Sequence, residues 1–450
     1  MIILPSAVIL ALLILYQKKH QWKIGVISLL FFVYLGMGLS SILNYYFGIT
    51  VSVFEISTEA MVYFSALLLL LLLSFFGFSE KTFQIITINN FKLYRILSVF
   101  LLLSSFGSII FFMPFSINAL RGDLEANRYA QINMLKLSEY GLINTYFSLV
   151  ANFFIFNLVF GFLELSLNKK KNTIFGYFLV ITSLSYYFYI LAYVGRDGYV
   201  FWVMSTLFVF LFMRKFLSVK KQIEVTTLLV ILYMILIIPF VQISDARFGS
   251  GQHSSASQEE ENAVKGGEEA VLTELRDGDN RLFYLIENAL SYTGQQVINF
   301  NTLYEINPPS RRGGENFPKI VMLLERAGLK ISPIYNREEL YDHFFEVGAV
   351  PWVFSTIIGS FVSDFGKYGA VLAVLIICLV NYFILYRYYK AEMLYVSDIM
   401  MFIISYQTVY WGIFYFRLYS ANLYLICSII LVLIFRVSQN HPAKTFHALS

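Results

Sequence analysis

Apolar blocks of roughly 15–22 residues recur from end to end of this chain, and they constrain its fold more than any motif does. At 1.5 Å per helical residue, such a block matches the roughly 30 Å hydrocarbon core of a bilayer. Composition removes the alternative of an unusually large soluble core. Of the 450 residues, 58% are hydrophobic and only 14% are charged, against about 25% charged in an ordinary soluble domain. So little charge does not cover a water-facing surface. A soluble enzyme, a nucleic-acid-binding module and a disordered protein are all excluded. The blocks are continuously apolar, whereas strands of an outer-membrane barrel alternate apolar with polar residues. The expected fold is an all-α polytopic membrane protein. Cys378 and Cys427 lie inside apolar blocks and read as small core residues, with no disulfide framework.

About eleven transmembrane helices are expected, at 2–16, 24–43, 58–77, 96–113, 143–165, 174–192, 199–213, 225–241, 367–386, 399–416 and 421–435. The first runs into Lys18, Lys19 and Lys23, with no basic stretch before it and no small-residue cleavage site after it. It reads as a retained helix, not a signal peptide. Lys and Arg assign the sides. One set of loops holds Lys18, Lys19 and Lys23, then Lys81, Lys92 and Arg95, then Lys169 to Lys171. It continues with Arg214, Lys215, Lys220 and Lys221, then Arg387 and Lys390, and ends with Arg436 and Lys444. The opposite short loops are poorer: none in 44–57, Arg121, Arg128 and Lys136 in 114–142, and Arg196 alone in 193–198. The first set is expected in the cytoplasm, with the N-terminus outside and the C-terminus inside. The chain then divides into an N-terminal bundle of about eight helices (1–241), an extracytoplasmic loop (242–366), and C-terminal helices with a cytoplasmic tail (367–450).

The long loop is where composition turns soluble. Ser250 to Ala270 is rich in Ser, Gln, Glu and Gly and reads as a mobile segment, 250–270. Apolar residues from Leu282 to Leu290 then recur at helical spacing until Asn307-Pro308-Pro309 breaks the pattern. Pro318 opens a short helix that passes Val321, Leu324 and Leu329, with Gly328 near its end, and another helix is expected over Asn336 to Val347. The stretch 350–362 is apolar but too short to span. It reads as a re-entrant half-helix, ending in Asp364-Phe-Gly366.

Charge near membrane depth is costly, so the few ionisable groups on the outer side are the candidates for chemistry. Gly195-Arg196-Asp197-Gly198 offers either an anion-binding arginine aimed by Asp197 or a tight turn with a snorkelling Arg196. In the loop 114–142, Arg121, Glu125 and Arg128 share a helical face, as a phosphate clamp or as a solvated ion-pair face. Asp245, Arg247, Arg276, Arg281, Arg311, Arg312 and Arg337 follow in the long loop. Arginine is the better fork for bidentate phosphate contact. Arg247 beside a membrane exit and Arg281 opening an amphipathic helix rank first among them. Asp277-Gly-Asp279 reads as a turn. His343 is the candidate general base, with Asp197, Glu346 and Asp364 as carboxylate alternatives. Arg417 lies at the outer end of the tenth segment, as a further ligand or an interface anchor. Walker A, nucleophile-elbow and dinucleotide fingerprints are missing, and no metal-ligand cluster exists, so no metal and no cofactor are expected.

Taken together, these features resemble the bacterial O-antigen or capsule repeat-unit polymerases of the Wzy type. The resemblance spans the whole chain as architecture, and its most specific stretch runs from Thr356 through Gly359, Asp364 and Gly366 to Gly369. It implies a GT-C-like fold and a glycosyltransferase that joins repeat units carried on undecaprenyl pyrophosphate, at the outer face of the inner membrane. Arg196, Arg247, Arg281, Arg121, Arg128 and Arg417 would then bind pyrophosphate, and His343, Asp197 or Glu346 would take the acceptor proton. Gly359, Asp364 and Gly366 would shape the half-helix. The implied partners are the lipid-linked glycan, the bilayer, a chain-length regulator and a repeat-unit flippase, without nucleic acid. A glycan ligase of the same chemistry and a polysaccharide flippase are the alternative readings. The scarcity of acidic groups at mid-membrane speaks against the transporter.

Overall fold

The computed structural model describes residues 1–21, 25–49, 53–78, 85–121, 127, 130–131, 133–135, 141–167, 170–195, 197–248, 281–333, 338–347, 355–391, 394–416, 421–437 and 444–447. The expected mobile segment 250–270 lies outside them.

In the first half, α1 (Ile3–Lys19), α2 (Val26–Tyr46) and α3 (Thr58–Leu73) lead to a short strand, β1 (Ile85–Ile88). Then come α4 (Phe91–Ala119), α5 (Gly141–Asn152), α6 (Phe154–Ser166), α7 (Lys170–Thr182), α8 (Ser185–Leu191), α9 (Asp197–Met213) and α10 (Val219–Phe248). In the second half, α11 (Arg281–Ile306), α12 (Pro318–Arg326) and α13 (Glu338–Phe345) precede α14 (Thr356–Ala391). The chain closes with β2 (Leu394–Tyr395), α15 (Val396–Tyr410), α16 (Asn422–Val437) and β3 (Lys444–His447).

Among the described residues, six helical stretches are long and apolar enough to cross a membrane, or seven if the bent pair α5–α6 is one span. Helices α3 and α16 are apolar but shorter. The protein is thus a polytopic α-helical membrane protein. Its exposed large side chains are themselves apolar, as on α4, where Ile96, Phe100, Leu103, Phe106 and Ile110 face outward. That is the surface lipid tails require.

Three details depart from the sequence-based boundaries. The span expected at 143–165 is bent by 45° between α5 and α6. The bend sets the Phe154 ring 4.5 Å from Tyr186 and 5.9 Å from Trp411, deep in the core. The span expected at 174–192 is interrupted at Ser183, whose hydroxyl accepts from Trp202 Nε1 at 3.0 Å. Helix α10 runs on to Phe248, seven residues beyond the expected exit at 241, so Asp245 and Arg247 are helical rather than in a loop. Ile243, fully buried, continues the core-facing stripe.

Contacts sort the loops into two ends. At one end β1 pairs in parallel with β2 and antiparallel with β3, a three-stranded sheet not anticipated from the sequence. Arg95 meets buried Glu164 at 2.5 Å and Asn172 at 3.3 Å there. Buried Asp398 bridges Arg387 and Arg436, each at 3.2 Å. At the other end α11 is wedged against α2, α3 and α14. Asn44 Nδ2 donates to Leu290 O at 2.8 Å, and Asn301 bridges both chain directions of the 55–57 turn. Gly294 permits the approach, since a Cβ there would overlap Ser40 O and Asn44 Nδ2. The expected loop helix is therefore part of the packed body.

Candidate functional site

A densely bonded polar cluster lies where α14 breaks. Gly366 has φ 72° and ψ 175°, inside what would otherwise be one helix, and separates 356–365 from the long remainder. Only glycine adopts that backbone without strain. The expected half-helix 350–362 thus corresponds to a short helical piece from Thr356, and 350–354 lie outside the described residues. Gly359 is needed on this piece because a Cβ would press on Ser355 Oγ at 2.5 Å.

The loop 307–317 folds onto this piece. Asn307, Arg312 and Gly313 have φ of 47°, 53° and 86°, which curl the chain tightly after the Asn307-Pro308-Pro309 break. Asp364, fully buried, accepts from the backbone N–H of Glu315 at 3.2 Å and of Asn316 at 3.0 Å. The Ser310 hydroxyl donates to Asp364 O at 2.9 Å. Asn316 Nδ2 donates to Ser360 O at 2.8 Å, and Asn422 Nδ2 donates to Asn316 O at 2.9 Å, tying in the start of α16. Phe317, Phe361, Phe365 and Phe416 close over the cluster with ring centroids 4.9–6.3 Å apart.

Inside sits Arg311, 2% exposed. Its Nη1 donates to Glu315 Oε2 at 3.1 Å, and the same oxygen accepts from Ser363 Oγ at 3.1 Å. Among the described residues Arg311 Nε, which is buried, has no hydrogen-bond partner. A guanidinium carries five N–H donors in a fixed plane, so one acceptor leaves it under-used. An unpaired buried donor costs about 1–3 kcal/mol. A second cation lies just past the break. Lys367 Nζ stands 3.5 Å from the centroid of the Tyr304 ring, and Tyr304 donates to Glu59 Oε1 at 2.6 Å. Burial, and then the Glu59 carboxylate, raise the Tyr304 phenol above its ordinary range, so it stays a donor. Lys367 O in turn accepts from Tyr63. This stretch thus carries two cations, Arg311 ion-paired to Glu315 and Lys367 held over the Tyr304 ring.

The residues favoured by sequence are dispersed. His343 Nδ1 lies 3.9 Å from Glu346 Oε2, too far for a hydrogen bond, and both side chains are substantially exposed. Among the described residues no hydrogen bond or ion pair joins them to the Arg311–Asp364 cluster. Asp197 opens α9, where Gly195 and Gly198 both pack on Ile190 at distances a Cβ would violate. Arg121 is exposed at the end of α4, Arg247 lies in the last turn of α10, and Arg281 opens α11. Arg128, Arg196 and Arg417 lie outside the described residues. Sequence reasoning placed Arg311 beneath Arg247 and Arg281. The signal pointing to it was the left-handed-prone Arg311-Arg312-Gly313-Gly314 run directly after a Pro-Pro break.

Comparison with protein-family models, with curated proteins and with solved structures finds no match.

Proposed function

We propose that this protein is a repeat-unit polymerase, joining undecaprenyl-pyrophosphate-linked oligosaccharides by metal-independent glycosyl transfer at the outer face of a bacterial cytoplasmic membrane. The reading takes the bundle as about eleven crossings in a GT-C-like arrangement, with the sheet end cytoplasmic. The observation that carries it is Arg311, buried with Nε unpaired at a helix break in the Gly359–Gly369 stretch.

In the transfer, the acceptor hydroxyl oxygen forms a bond to the donor's anomeric carbon. The bond from that carbon to the pyrophosphate oxygen breaks, and the electron pair leaves with the lipid pyrophosphate. Arg311 and Lys367 stabilise the charge gathering on that oxygen through charge-assisted hydrogen bonds. Arg196, Arg247, Arg281, Arg121, Arg128 and Arg417 remain candidates for the rest of the pyrophosphate contacts. His343, Asp197 or Glu346 receives the acceptor proton.

Purified protein in liposomes, given lipid-linked repeat units alone, should extend them into a ladder. Arg311→Ala should lower that rate by about 10²–10³-fold, the usual effect of losing one oxyanion donor. Undiminished ladders from folded Arg311→Ala and Lys367→Ala proteins would remove both cations from the mechanism. In cells, loss of a polymerase leaves a single repeat unit on the final acceptor, whereas loss of a ligase leaves polymer on its carrier.

A further inference from the structure

Helix α12 carries an arrangement that the catalytic reading does not use. It begins at Pro318 in the first helical position and ends with Gly328 at φ 96°. There Leu329 N bonds back to Leu324 O at 3.1 Å and Gly328 N to Glu325 O at 2.9 Å, a glycine-closed helix end. The helix is therefore a defined rod. Its inner side is fixed by Val321, which is buried, and by Lys319 N donating to Asn422 Oδ1 at 3.2 Å. Asn422 is the first residue of α16, an apolar helix that enters the bundle. That bond ties α12 to the start of α16.

The outward face reads Lys319, Met322, Leu323 and Arg326, at i, i+3, i+4 and i+7 along one helical stripe. All four are exposed, Met322 by 39% and Leu323 by 47%. Leu329, 55% exposed, and Lys330 continue the same pattern beyond the helix. A water-facing loop helix would present polar residues there. Two large apolar side chains bracketed by cations are instead what an interfacial helix needs: apolar groups dip into the acyl boundary while long basic stems keep their charge among headgroups.

We propose that α12 lies in the headgroup layer of the bilayer, with Met322, Leu323 and Leu329 inserted and Lys319, Arg326 and Lys330 bound to anionic lipid headgroups. The occupant is the bilayer itself, chosen over a protein partner because the charges complement anionic lipid and because α12 is bonded to the first residue of the apolar helix α16. The proposal holds whatever reaction the bundle performs. It predicts that the loop 307–317, joined directly to α12, is held at a fixed height over the membrane.

The test uses the full chain with Cys378 and Cys427 replaced by Ser, carrying one environment-sensitive probe at Met322→Cys, Leu323→Cys or Glu325→Cys. The protein is placed in nanodiscs of brominated phosphatidylcholine, with or without phosphatidylglycerol. Quenching at 322 and 323 should exceed that at 325 by about threefold, as for an apolar face immersed several ångströms in the acyl boundary. It should also deepen when phosphatidylglycerol is present. The double variant K319E/R326E should lose the dependence on phosphatidylglycerol. Equal quenching at 322 and 325 would overturn the proposal, as would disulfide cross-linking of Met322→Cys between two copies, which would assign the face to a second chain. An unchanged lipid dependence in the charge-reversed protein would overturn the headgroup contact.

Discussion

Asp364 shows how one buried carboxylate can organise a loop. Among the described residues it forms no ion pair. Its two oxygens instead accept the backbone N–H groups of part-buried Glu315 and buried Asn316. Asp364→Ala strands both donors, and each costs about 1–3 kcal/mol when left buried without an acceptor. A clearly lowered midpoint of thermal unfolding in detergent is the expected outcome. Asp364→Asn keeps one acceptor oxygen and should lie between the two. An unaltered midpoint for Asp364→Ala would mean the loop is held by its phenylalanines alone. The sequence marked Asp364 through the Asp-Phe-Gly pattern, but it gave Arg311 no precedence over Arg247 or Arg281. The reason is physical. Burial of Arg311 depends on contacts across roughly fifty positions of chain, between 310–316 and 360–364, and such pairing leaves no trace in local periodicity.

At the level of elements, glycines mark where the bundle does something other than cross a membrane. Gly366 at φ 72° and ψ 175° stops one helix and starts another. Gly366→Ala puts a Cβ where the backbone tolerates none, at about 1–3 kcal/mol. It should lower thermal stability and shift Lys367 off Tyr304, which Tyr304 fluorescence lifetime or a Lys367 labelling rate would report. Gly294 is the second such position, and here packing rather than φ is the constraint. Gly294→Leu must push α11 off α2, at about 1–3 kcal/mol for an overpacked contact. A well-folded Gly294→Leu protein would refute the close approach. Helix limits were legible wherever turn chemistry set them: Pro308 after Ile306, Pro318 at the start of α12, Gly328 at its end. The docking of α11 on α2 was not legible, because the amphipathic pattern of 282–290 says that a helix has a partner without saying which. The small sheet escaped for the same reason, its strands being two to four residues long and dependent on partners about 300 positions away.

For the whole molecule, the two ends differ in how they use charge. The sheet end holds cations against buried carboxylates, Arg95 on Glu164 and Arg387 and Arg436 on Asp398, and pairs Lys221 with the partly exposed Glu224 at 2.8 Å. There the basic residues fix orientation and clamp helix ends together. The opposite end buries Arg311 against the partly exposed Glu315 with a donor unspent, and rests Lys367 on an aromatic ring. On the proposed orientation, positive charge kept on the outer side requires a reason of its own, and the proposed anionic lipid-linked substrate would supply one. The proposed orientation, with the sheet in the cytoplasm, is directly testable. Single cysteines replacing Arg312 and Thr445, both exposed, decide it in a protein whose own Cys378 and Cys427 are Ser. A membrane-impermeant thiol reagent added to intact spheroplasts should label Arg312→Cys at once and reach Thr445→Cys only after lysis. The reverse order would place Arg311 on the cytoplasmic side, where no outer-face polymerisation could use it.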